Sequence, residues 1–159
     1  MKPTPKHLRP RWRYLAVEIE GFPDCELKRD TVKRALNDAI DELFGDSGNA
    51  KTRFRIFSFI ANAHRAEAVI RTHRDAIAIT RAGLACIDSV TDDPVRVFVR
   101  GISGTVRSCE EKFLGRDQEL IRETAVVFDG VNRHAVKAGD EIDIKVNDGY
   151  VGATTLDIK

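Results

Sequence analysis

Two hydrophobic periods alternate along the first 115 residues, and their order constrains the fold more than any motif does. Residues 13–20 alternate, with Leu15, Val17 and Ile19 on one face and Tyr14, Ala16 and Glu18 on the other, as a half-buried strand requires. Gly21, Pro23 and Asp24 end it. Over 27–44 the apolar positions Val32, Ala35, Leu36, Ala39, Ile40 and Leu43 recur at helical spacing, and Gly45 stands where a C-cap glycine belongs. A polar loop over 46–50 leads to a second strand over 53–60, a turn over 62–65 and a third strand over 66–71. Thr72 and Asp75 read as a capping box for a second helix with Ile77, Thr80, Leu84 and Ile87 on its inner stripe. A fourth strand over 95–100 turns three valines inward and Arg96, Phe98 and Arg100 outward. Gly101, Ser103 and Gly104 then turn the chain into a helix over 105–114, with Ser103 as its N-cap, Val106, Cys109 and Phe113 on one face and Gly115 at its end.

The order βαββαβα predicts an α+β fold. Its first six elements match a ferredoxin-like, RNA-recognition-like sandwich, in which right-handed crossovers place two helices on one face of a four-stranded antiparallel sheet. The last helix is extra. Residues 116–159 differ in character, with turn dipeptides at Asp129-Gly130 and Asp148-Gly149 and alternation at Ile142, Ile144 and Val146. Three parts are expected: an arm over 1–12, the sandwich over 13–115 and a β-rich extension over 116–159.

Charge separates the arm from the rest. Residues 1–14 hold Lys2, Lys6, Arg9, Arg11 and Arg13 and no carboxylate, while the whole chain has a net charge of only +1. Residues 15–159 are therefore acidic by four charges. Trp12 and Tyr14 interleave with the arginines, the mixture that binds a polyanion and stacks on bases. Cys25, Cys86 and Cys109 are odd in number and far apart, which points to unpaired thiols in a reducing compartment. The first apolar stretch is too short for a signal or membrane segment, so a cytoplasmic protein with no membrane partner is expected.

No catalytic residue emerges. Gly101-Ile102-Ser103-Gly104 only superficially resembles a nucleophile elbow. His7, His64, His73 and His134 lack metal-ligand spacing, and the acidic loop of Asp88, Asp92 and Asp93 reads as solvated, so no metal site is assigned. Nucleic-acid features are denser. The face opposite the two helices is expected to carry Tyr14, Arg53, Arg55, Phe57, Phe59, Arg71, Arg96, Phe98 and Arg100, as an RNA platform or as a second core under other protein. Ser103, Gly104 and Thr105, at a helix start with Arg107 nearby, form a candidate phosphate site, equally readable as a plain N-cap.

Three segments, Lys6-His7-Leu8-Arg9-Pro10-Arg11-Trp12-Arg13-Tyr14-Leu15, Leu43-Phe44-Gly45 and Gly101-Ile102-Ser103-Gly104-Thr105-Val106-Arg107, together resemble the archaeal ribonuclease P protein component 2 family. The resemblance covers roughly residues 5–115; shorter family members end near the third helix. It implies a subunit of the ribonucleoprotein that removes the 5′ leader from precursor tRNA. In that enzyme RNA supplies the active site and Mg²⁺ bound to RNA does the chemistry, so the chain itself would bind no cofactor. Implied partners are ribonuclease P RNA, precursor tRNA, a barrel-shaped ribonuclease P protein subunit, a second copy of this chain in a heterotetramer, and other ribonuclease P proteins.

Lys6, Arg9, Arg11, Arg13 and Arg107 are then expected to neutralise crowded phosphates, with Trp12 or Tyr14 on an exposed base, favouring the active RNA fold and lowering its Mg²⁺ demand. The 66–71 strand lacks the aromatic octamer of RNA-recognition motifs, which favours contact through arm, loops and helix ends over the sheet centre. The rivals are a stand-alone RNA-binding module of the same fold and a small-ligand ferredoxin-like protein.

Overall fold

The computed structural model describes residue 5 and residues 9–62, 64–114, 122–138, 141–147, 149–154 and 156–158. Lys6, His7, Gly115 and Asp148 lie outside the described residues. The chain divides into two compact units, 1–115 and 116–159.

In the first unit β1 (Trp12–Gly21), α1 (Arg29–Thr52), β2 (Arg55–Asn62), β3 (Arg65–His73), a 3-10 turn (Arg74–Ala76), α2 (Ile77–Ala85), β4 (Ser89–Val90), β5 (Asp93–Ser103) and α3 (Val106–Phe113) follow in order. The sheet runs β2-β3-β1-β5-β4 with every pairing antiparallel. The α+β class is therefore as expected. The two-residue β4 adds a fifth strand that its short, acidic surroundings had disguised as loop.

One face of the sheet buries Leu15, Val17, Ile19, Ile56, Ala66, Ala68 and Ile70 against Val32, Leu36 and Ile40 of α1 and Leu84 of α2. The two helices approach closely at Gly83, where a Cβ would lie 2.6 Å from Ile40. The opposite face has a smaller core: Ala16, Val69 and Cys109 are buried, with Tyr14, Val106, Phe113 and Leu114 packed around them. α3 thus packs on the middle of that outer face. Gly101 makes this possible, because a Cβ there would sit 2.4 Å from the Phe113 ring.

Local geometry corrects several expectations. α1 extends to Thr52, and residues 46–50 are helical instead of a polar loop. Gly45 does end the first stretch, with φ 63° and ψ −170°, but the chain resumes the helix beyond it. The second stretch is tied back by Asn49 Nδ2, which donates to Asp41 Oδ1 at 2.6 Å. Gly48 packs under Phe44 and Ile40. Leu43 consequently lies outside the core, 45% exposed. Arg53 takes a left-handed φ of 42° as the helix cap, so β2 begins at Arg55.

Thr72 is not a helix cap. It is the next-to-last residue of β3, where its buried hydroxyl pairs with that of Thr80 at 2.8 Å and donates to the Thr52 carbonyl at 3.2 Å. β5 runs on through the supposed turn at Gly101 to Ser103, and the cap of α3 is Thr105, not Ser103. The Thr105 hydroxyl accepts from the Ser108 N–H at 3.2 Å.

In the second unit β6 (Arg122–Phe128), β7 (Val131–Ala138), β8 (Glu141–Val146) and β9 (Gly149–Thr154) form an antiparallel meander. Asp129 and Gly130, at φ 54° and 73°, supply the two left-handed residues that a tight hairpin demands. Ala135, Ile142 and Ile144 are its buried centre.

Candidate nucleic-acid interface

Strand register sorts the outer face into two ends. At the arm end Trp12 lies opposite His73, Tyr14 opposite Arg71 on one side and Ser103 on the other, and Arg55 opposite Arg71. The Arg71 guanidinium sits 4.1 Å from the centre of the Trp12 ring and 5.0 Å from that of Phe57. Tyr14 meets Phe57 edge-on at 5.8 Å, Trp12 meets His73 likewise at 5.7 Å, and Arg55 stands 5.6 Å from Phe57. Just outside, the Arg74 N–H donates to the Arg11 carbonyl at 2.8 Å, and Arg13 donates to the Trp12 carbonyl at 3.0 Å. Among the described residues, Arg11, Arg13, Arg55, Arg71 and Arg74 form no ion pair.

At the far end the same residue types are neutralised. Glu18 accepts from Arg100 at 2.5 Å, while Glu20, 8% exposed, pairs with Arg96 at 3.2 Å and Arg65 at 3.6 Å. Phe98 lies opposite Glu18, with Arg100 and Arg96 at 4.9 and 5.9 Å from its ring. Burial pushes the Glu18 carboxyl up, but the hydrogen bond and charge of Arg100 lead the influences that bring it below its ordinary value. This end offers no cation in want of an anion.

The expected platform is therefore split, and one member leaves it. Phe59 packs into the helix-side core instead of facing out. The cause is a bulge: the β2–β3 register shifts between Ile56 and Ser58, Phe57 becomes the extra residue, and Phe59 then lies opposite Ala68 on the helix side. Arg53 belongs to no strand.

Of the expected contact residues, Trp12, Tyr14 and Ser103 converge on the outer face at the arm end, whereas Arg13, opposite Thr72, stands on the helix side of β1, and Arg11 precedes them in the chain. Gly104 and Thr105 continue from Ser103 and are exposed. Arg107 is exposed and hydrogen-bonded to Glu111 at 2.7 Å, one turn along α3. Arg9 is exposed. Sequence reasoning passed over His73 and Arg74, although Arg71-Thr72-His73-Arg74 is a legible basic run. A cleft beside β2, of about 600 Å³ and lined by Lys28, Arg29, Lys33 and Arg55 with Asp30, carries the positive surface onward.

No three or more His, Cys, Asp or Glu side chains gather as a metal site among the described residues, nor is any helix there long and apolar enough to cross a membrane. The thiols are unpaired. Cys25 and Cys109 are buried and Cys86 is exposed. Burial, with Glu110 adding, pushes the Cys109 thiol up to about 11, and its Sγ approaches the Tyr14 carbonyl at 3.5 Å.

Fold and site define an α+β protein with a cationic, aromatic-walled sheet corner at the root of a basic arm, the class that handles polyanions. The Rpp14/Pop5 family model matches residues 13–114, and the chain belongs to that family, with the function of a ribonuclease P protein subunit. It is similar to ribonuclease P protein component 2 of Halorubrum lacusprofundi, 45% identical over 99% of each chain, and of Haloarcula marismortui, 46% identical over 100% of each. Against the component 2 of Methanosarcina mazei it is 30% identical over 72% of this chain and 93% of that one. The first two relatives match across the extension as well.

Proposed function

We propose that this subunit binds and stabilises the catalytic RNA of ribonuclease P and lowers its Mg²⁺ demand while that RNA removes the 5′ leader from precursor tRNA. The observation that carries the proposal is the arm end, where Arg55 and Arg71 stand against an aromatic cluster, Arg11, Arg13 and Arg74 lie nearby in the chain, and none of the five forms an ion pair among the described residues, the nearby Asp75 pairing with His73 instead. Cations that no protein group neutralises repel one another unless a polyanion joins them, and each one that meets a phosphate releases condensed counterions. Lys6, Arg9, Arg11, Arg13 and Arg107 are the phosphate contacts of this reading, with Trp12, Tyr14 and the Ser103-Gly104-Thr105 turn beside them. RNA holds the Mg²⁺ and the active site, and the chain holds no cofactor. The strand order supports a ferredoxin-like arrangement for the first unit. A barrel-shaped ribonuclease P protein, a second copy of this chain in a heterotetramer, and further ribonuclease P proteins are its cytoplasmic partners.

The test is reconstitution with cognate ribonuclease P RNA and partner proteins, followed by precursor-tRNA cleavage across a Mg²⁺ series. The full chain should lower the Mg²⁺ needed, and a chain lacking residues 1–11 should need more. Equal cleavage at low Mg²⁺ with full chain, truncated chain and no chain would refute the proposal.

A further inference from the structure

Arg71 differs from the other guanidiniums of the outer face. Arg65, Arg96 and Arg100 are held by carboxylates, whereas Arg71 is held between two rings. Its Nε, like that of Arg65, is shielded from solvent, but among the described residues the Arg71 guanidinium makes no hydrogen bond and no ion pair, so its outer nitrogens are the donors open to a ligand. The protein thus orders a planar, permanently charged fork and leaves its donors unused. Aromatic walls can hold a guanidinium in place without consuming its N–H groups, and a fork ordered in advance loses little freedom when an anion arrives. Arg55 lies directly across the strand pair and shares Phe57 as a wall.

We infer that Arg71, with Arg55, forms a preformed site for one RNA phosphodiester, and that Trp12 and Phe57 are its walls and not platforms for bases. The inference rests on the RNA-binding reading above. Ring faces committed to guanidinium are withheld from nucleobases: Trp12 has Arg71 against it and His73 at its edge, and Phe57 has Arg71, Arg55 and Tyr14 around it. A phosphate is the ligand that suits what remains, because it accepts two parallel N–H bonds from such a fork.

Trp12 is the sole tryptophan of the chain, so its fluorescence reports this site alone. The full-length protein would be titrated with ribonuclease P RNA across about 0.05–0.2 M salt, following Trp12 emission and, separately, filter binding. Wild type should show an emission change and a steep salt slope. Arg71→Gln should bind roughly tenfold more weakly, with the slope reduced by about 0.7–0.9, the loss of one phosphate contact. Arg96→Gln, at the neutralised end, should match wild type in both. Trp12→Leu should weaken filter binding in the wild-type background and add nothing in the Arg71→Gln background.

A wild-type slope in Arg71→Gln would overturn the phosphate assignment and leave the RNA-binding reading standing. Additive losses from Trp12→Leu and Arg71→Gln, with an unchanged slope for the former, would show base stacking and overturn the wall assignment. Absence of salt-dependent binding by wild type would overturn both the reading and the inference.

Discussion

The two ends of the outer sheet face are built from the same materials and do opposite things with them. Each has arginines beside aromatic rings on β1, β3 or their neighbours, and each borders the patch covered by α3. At the far end Glu18 and Glu20 from β1 take up Arg65, Arg96 and Arg100, so charge closes on itself and ties three strands together. At the arm end β1 contributes Trp12 and Tyr14 where Glu18 and Glu20 stand at the other, and Arg55 and Arg71 form no ion pair among the described residues. What distinguishes a binding surface from a structural one is thus the neighbour across the strand, not the presence of Arg and Phe.

The largest effect that sharpens this contrast is charge reversal at the arm end. Arg11→Glu combined with Arg74→Glu should lower RNA affinity by on the order of a hundredfold at moderate salt, while thermal stability changes by no more than about 0.5 kcal/mol per site. Filter binding and a melting curve measure the two together. At the far end the pattern inverts: Glu20→Gln weakens the pairs with Arg65 and Arg96 and should cost about 1–3 kcal/mol of stability, read as a lowered Tm, without weakening RNA binding. An undiminished Tm would mean that the far end is not a structural clasp. The smallest effect is pH dependence. The Glu18 carboxyl lies below its ordinary value in the folded protein. Its contribution to stability is therefore complete above the ordinary carboxylate range and is lost as pH falls through the folded value. Denaturant titrations in mild acid should show Glu18→Gln flattening that decline relative to wild type.

Much of the first unit was legible because its signals are local. The alternation of Leu15, Val17 and Ile19 and the helical stripe from Val32 to Ile40 report burial directly, and both stand in the main core. The misplaced residues share a different property: their positions depend on a partner element. Phe59 looks outward by counting from Arg55, and only the Phe57 bulge, set by pairing with β3, turns it inward. Thr72 has the composition of a cap but was recruited as a buried hydroxyl by Thr80 and the Thr52 carbonyl. Gly45 was read correctly as a helix end, yet the Asn49–Asp41 bond that brings helix back over 46–50 has no local pattern.

The site followed the same rule. The composition of residues 6–14 raises the expectation of a polyanion-binding arm, whereas the difference between Arg71 and Arg96 is invisible in the chain. Each is an outward arginine near an aromatic residue on a strand. Register alone places Arg71 beside Trp12 and Tyr14, and Arg96 beside Glu20.

The central claim, that RNA meets the arm end and not the far end, is tested most directly by directed hydroxyl-radical probing. In a Cys86→Ser background, which removes the exposed thiol, a tethered iron chelate is placed at Arg74→Cys for the arm end or Asn62→Cys for the far end. With the assembled ribonucleoprotein, the Arg74 position should cut ribonuclease P RNA at a discrete cluster of nucleotides, and the Asn62 position should give none beyond background. Strong cleavage from Asn62 with none from Arg74 would contradict the account.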